Sequence, residues 1–151
     1  MQTTQVARVL EDLVETLEDG NKGFSDAAEM LAEAGREDLA GTMRQMSDQR
    51  ARFSTELREL AGRQGIDIAE AGSAAGAVHR GWMNVKESLS SNDADAVLSA
   101  AATGEEHAKN EFEKALEVDL PDHVMDVIRK QAVAVTTAAN EILDLSDRGN
   151  S

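Results

Sequence analysis

A chain of 151 residues with 41% apolar side chains can bury one hydrophobic core. Its formal net charge of −14 argues against nucleic acid, whose phosphates need basic patches, and against an anionic membrane surface. No cysteine is present, which excludes disulfides, thiolate metal sites and cysteine nucleophiles. Aromatic residues are 3% and proline occurs once. The core must then be built from Ala, Leu, Val and Met, which suits closely approaching helices. The first ten residues carry no basic stretch followed by an apolar run, so no signal peptide is expected. No stretch approaches the roughly 20 apolar residues of a membrane span. A single-domain cytoplasmic protein, spanning residues 1–151, is the expectation.

A first helix is predicted from about residue 4 to 34, capped by Thr3 or Thr4 and stopped by Gly35. A second follows at once, over 37–63. Glu37 and Asp38 suit its N-terminal dipole, and so short a connection makes the two an antiparallel hairpin. Gly65 ends it. A crossover segment, about 66–92, is expected to hold a short helix over 73–89 with Val78, Trp82, Val85 and Leu89 on its apolar face. Ser91 or Asn92 is expected to cap a third long helix over 93–118. Pro121 marks the first turn of a fourth, which continues to about Asp147. A joining segment of about thirty residues is long enough to cross a bundle from end to end.

Apolar positions three and four apart define one stripe on each long helix. The first is Val6, Leu10, Leu13, Leu17, Gly20, Phe24, Ala27 and Leu31. The second is Leu39, Met43, Met46, Arg50, Phe53, Leu57 and Leu60. The third is Leu98, Ala101, Glu105, Ala108, Phe112 and Ala115, and the fourth is Val124, Ile128, Gln131, Val135, Ala138, Ile142 and Leu145. Arg50 and Glu105 thus fall on core stripes, which is expensive unless each finds a partner. Folding the first hairpin at Gly35 sets Arg50 beside Gly20, where the missing side chain leaves room for a guanidinium. A buried Arg50–Glu105 ion pair is the expectation.

Further residues carry a resemblance. Leu13 to Gly20 with Gly23-Phe24 and Ala27-Ala28-Glu29, Gln49-Arg50 with Phe53 and Glu56-Leu57, the stretch from Gly76 to Lys86, and Gly104-Glu105 with Phe112 and Ala115-Leu116 together resemble an uncharacterised bacterial ferritin-like four-helix-bundle family, a domain of unknown function. The resemblance runs from about Val6 to Asp147. It implies an all-α, ferritin-like four-helix bundle of two antiparallel hairpins with a short helix in the long crossover, and a distant kinship to ferritins and rubrerythrins. It implies no activity.

Di-iron relatives of that fold place a Glu on each of two helices and a Glu-x-x-His on each of the others. Here the stretch of the second helix that matches Glu-x-x-His has Arg50 and Phe53, and the fourth helix has Val135 and Ala138. The position equivalent to Glu105 on the first helix is Leu17. A cation and a benzene ring cannot bind iron, so a metal-free bundle is expected, with no cofactor. His107 reads as a solvated residue on an acidic helix, and His123 as a surface residue in the first turn of the fourth. The scattered methionines read as core filler. No phosphate loop and no hydrolase motif is present.

The crossover holds the most functional-looking cluster, His79, Arg80 and Trp82, as an interaction surface, although Trp82 also reads simply as an anchor onto the bundle. The fourth helix carries Ala132, Val133, Ala134 and Ala139 beyond its stripe, so a second cover is expected there, from the crossover helix or from a second copy of the chain. The functional expectation is a non-enzymatic interaction or stress-associated protein with an unidentified protein partner, as a monomer or homodimer. The alternatives are a di-metal carboxylate protein of the ferritin or rubrerythrin type, or a binding module for a small apolar ligand.

Overall fold

Two glycines with left-handed backbones decide where the first two helices stop. The computed structural model describes residues 2–68 and 93–149. Helix α1 spans Gln2–Glu33 and α2 spans Glu37–Arg63. At the end of α1, Gly35 has φ +80. Its N–H donates to the Ala32 carbonyl, and the next N–H, of Arg36, reaches back to Leu31. The end of α2 repeats the arrangement, with Gly65 at φ +74 and the Ile66 N–H donating to the Ala61 carbonyl. Both are Schellman closures that satisfy carbonyls the helix leaves unpaired. Ile66 packs partly onto the core beneath.

Helix α3 spans Ala94–Leu116 and α4 spans Asp122–Gly149. Asp93 caps α3 by accepting from the Asp95 N–H at 3.0 Å. Ser91 and Asn92, expected in that role, lie outside the described residues, as do most of the crossover and the short helix expected in it. Helix α1 already begins at Gln2, so Thr3 and Thr4 lie inside it and do not cap it. Pro121 stands one residue before α4, and its carbonyl accepts from the N–H groups of Val124 and Met125. The described residues contain four helices and no strand.

The core divides into two clusters. One joins the C-terminal half of α1 to the N-terminal half of α2, the start of α3 and the end of α4, through Phe24, Leu31, Met43, Leu98 and Ile142 among others. The other joins the opposite halves, through Leu10, Leu17, Leu57, Phe112 and Ile128. Helices α2 and α3 therefore run in the same direction, and α1 and α4 run against them. The end of α2 and the start of α3 stand at opposite ends of the bundle. Helix α1 packs on α2 and on α3, and α4 packs on α3 and touches α2 more sparsely. Helices α2 and α3 face each other across a diagonal, with no direct backbone approach.

Most stripe residues are buried. Phe53 and Leu145 are only half-buried, and Ser54 is buried beside Phe53. On α4, Ala132 and Ala139 are buried and Ala134 is half-buried, whereas Val133 is 68% exposed. The crossover helix expected as a second cover lies outside the described residues.

Candidate functional site

The gap between the two core clusters is polar. Gly20 on α1, Arg50 on α2 and Glu105 on α3 sit at that level, and the side chains of Arg50 and Glu105 are both 0% exposed. The guanidinium meets the carboxylate fork to fork. Arg50 Nη1 donates to Glu105 Oε1 at 2.5 Å, and Nη2 donates to Oε2 at 2.7 Å. Such bidentate, charge-assisted geometry is the strong form of the interaction. It spans the diagonal between the two helices whose backbones do not approach each other directly.

Helix α1 shapes the socket around the arginine. A Cβ on Gly20 would lie 3.3 Å from Arg50 Cγ and 3.5 Å from Nη1, so a larger residue there would press on the stem and the head group together. The Phe24 ring, one turn further along α1, has its centroid 5.2 Å from Arg50 Cζ, within range of a cation–π contact. Arg50 Nε donates to Gln49 Oε1 at 3.4 Å. Burial is the largest influence on the Glu105 carboxyl and pushes its pKa up, against the hydrogen bonds and charge of Arg50. Each partner is thus what makes the burial of the other tolerable.

The family model described as Domain of unknown function (DUF2383) matches residues 5–118, a span that holds most of α1, all of α2 and α3, and both members of the pair. The chain belongs to this family. No curated protein matches the chain. In this DUF2383 member, helix α4 lies beyond the matched span.

The donor set around the pair does not suit a di-metal centre. Both Glu105 oxygens are engaged by the guanidinium. The other positions that would have to bind are Phe53, Val135, Ala138 and Leu17, none of which carries a donor atom. Among the described residues, no group of three or more His, Asp or Glu side chains could hold a metal ion. Glu18, the carboxylate on α1 nearest in register, is committed elsewhere. Its Oε1 accepts from Ser54 Oγ at 3.1 Å and from Arg58 Nη2 at 2.5 Å. Glu106 is exposed.

Several smaller polar contacts surround this level. Asn21 Nδ2 donates to the Ser47 carbonyl and hydroxyl, both at 2.9 Å, and Ser47 Oγ donates to the Asn21 carbonyl at 2.7 Å. Gln131 on α4 is buried; its Nε2 donates to Glu56 Oε1 at 2.7 Å and to the Phe53 carbonyl at 3.3 Å, while its Oε1 has no partner among the described residues. His123 is exposed and shares a 2.6 Å contact with Gln64 Nε2. His107 is half-buried, and its Nε2 is enclosed without a partner among the described residues. The expected solvated placement is corrected by helix geometry: His107 stands near the face of buried Gly104 and Ala100, about one and two turns back.

His79, Arg80 and Trp82 lie outside the described residues. Two surface clefts carry mixed linings. One of about 110 Å³ between α1 and α3 includes Val9, Leu13, Asp12 and Lys114, and one of about 310 Å³ between α2 and α4 includes Met46, Gln49, Thr137 and Glu141. Each is open to solvent, and the first is also lined by Ala115 and Val118. No described helix is long and apolar enough to cross a membrane.

Proposed function

We propose that this chain is a ferritin-like bundle in which a guanidinium–carboxylate pair stands where related proteins hold two metal ions, and that it acts without catalysis, as a cytoplasmic interaction or stress-associated protein. The observation that carries this reading is the fork-to-fork contact of Arg50 with Glu105 at the centre of the core. A di-metal centre needs carboxylates converging on the bundle axis with oxygens free to coordinate. Among the described residues one carboxylate is buried in the core, and a cation of the protein's own already occupies both of its oxygens.

Two further observations support the ferritin-like part. The helix order runs up, down, down, up, with residues 64–93 joining opposite ends. That is the arrangement of a bundle with one long crossover, and not of a simple up-down-up-down bundle. The pair also sits near mid-height, between two apolar clusters, the level at which inward-facing ligands of such bundles converge. The fork of an arginine neutralises one carboxylate with a fixed planar geometry and no redox chemistry.

Iron(II) oxidation tests the non-catalytic part. The purified protein is mixed anaerobically with a few equivalents of iron(II), oxygen is admitted, and ferric absorbance is followed against a buffer control. Oxidation no faster than the control is expected. Saturable, protein-dependent oxidation that disappears in Glu105→Ala would overturn the reading in favour of a di-metal carboxylate protein.

A further inference from the structure

The two hairpins, α1–α2 and α3–α4, meet chiefly where α1 packs on α3. On the α3 side the inward residues alternate small Ala101, Ala108 and Ala115 with Leu98 and Phe112. The contact between α2 and α4 is sparse, and α2 does not approach α3. The placement of α2 against the second hairpin is therefore held by few close backbone approaches.

Polar contacts between the hairpins are directional; Gln131 of α4 meets Glu56 and the Phe53 carbonyl of α2, and among the described residues the Arg50–Glu105 contact alone joins two fully buried charges. The first hairpin prepares Arg50 by itself: Gly20 leaves the notch, Phe24 lies over the guanidinium and Gln49 accepts from Nε. The second hairpin brings Glu105, and its two oxygens meet the two Nη groups in one orientation only. A slip of one turn separates both contacts and leaves two charges unpaired in an apolar interior. A polar group that is satisfied in one arrangement and stranded in every other selects that arrangement, even where its net contribution to stability is small.

We propose that the Arg50–Glu105 pair is a docking key that selects a single register of the α3–α4 hairpin on the α1–α2 hairpin, and is not a net source of stability. The socket belongs to one hairpin and the arm to the other. Removing both charges together should keep the fold and lose its uniqueness.

The test compares the full-length chain with Arg50→Met/Glu105→Leu, and with Arg50→Lys as a milder variant that keeps the charge and loses the fork. Three readouts are taken: the urea midpoint, the amide correlation spectrum of labelled protein, and the mass in solution. For the double variant, a urea midpoint at or above that of the parent is expected, with amide signals from residues 97–112 and 43–57 doubled or broadened. Arg50→Lys should stay folded and show the same doubling to a smaller degree. Hairpin exchange between two copies, seen as a new dimer in the double variant only, would equally support the key. A double variant with one sharp set of signals would overturn the proposal, since apolar packing would then suffice. A double variant that does not fold would overturn it as well, because the pair would then be a main source of stability. These readouts are independent of metal content, so their failure does not touch the non-catalytic reading.

Discussion

Replacing Arg50 with alanine leaves the Glu105 carboxylate at 0% exposure among apolar side chains, with both oxygens stripped of their donors. Breaking one side of a buried ion pair costs about 3–5 kcal/mol, because the surviving charge keeps its desolvation penalty and loses its compensation. Arg50→Ala belongs at the upper end of that range. It also removes the stem that fills the Gly20 notch and the cation lying over Phe24, a contact worth up to about 2 kcal/mol when desolvated. Glu105→Ala should fall at the lower end, since a short side chain is lost and water can more easily reach the guanidinium. Against a total stability of roughly 5–15 kcal/mol, either change removes a large share. At about 2–4 °C per kcal/mol for a chain of this size, the melting temperature should fall by about 6–20 °C. The assay is urea and thermal unfolding followed by far-ultraviolet circular dichroism, run as a double-mutant cycle with Arg50→Met/Glu105→Leu. The double variant should recover the loss, giving strongly non-additive single changes. Single losses below about 1 kcal/mol, or a double variant whose loss equals the sum of the two, would refute the claim that the charges compensate each other in the core.

Three further outcomes follow from the local geometry. Gly41→Ala adds a methyl group with nothing within 4 Å and should stabilise α2 by about 0.5–1 kcal/mol; Gly20→Ala, pressed against Arg50 Cγ, should gain clearly less or lose, and equal gains in thermal unfolding would contradict the notch. Asp93→Ala removes the acceptor of the Asp95 N–H and should cost about 0.5–2 kcal/mol, which a midpoint indistinguishable from the parent would rule out. Gln131→Met replaces a buried amide whose oxygen has no partner among the described residues; a change within about 1 kcal/mol of zero is expected in chemical denaturation, and a loss above about 3 kcal/mol would show that its bonds to Glu56 and Phe53 matter far more.

Much of the architecture can be read from apolar spacing. Gly35 and Gly65 mark the ends of α1 and α2 because only a residue free of Cβ strain closes those carbonyls. Arg50 and Glu105 are conspicuous in the sequence because each interrupts an otherwise apolar stripe, and the structure puts them in contact. Spacing is a poorer guide where tertiary contacts decide. Phe53 lies on the second stripe but is half-buried, while Ser54 is buried and donates to Glu18, which also holds Arg58. An ideal helix drifts relative to a seven-residue repeat, and at this level a polar cross-link between α1 and α2 fixes which side of the drift faces inward. His107 shows the same limit: it is off the stripe of α3, yet it is half-buried, as a helix packed on two partners allows. Val133 errs in the opposite direction. It is apolar and exposed, and single exposed apolar residues carry no message about a cover. The Asn21–Ser47 pair has no sequence signature at all, because its partners are brought together only by the hairpin.

Elemental analysis of the purified protein tests the central claim most directly. The chain is produced in medium supplemented with iron, manganese and zinc, isolated without chelators, and compared with Glu105→Ala. If a guanidinium occupies the centre of the core, each metal should remain well below one equivalent per chain and Glu105→Ala should not differ. Close to two equivalents of one metal, lost in Glu105→Ala, would contradict it.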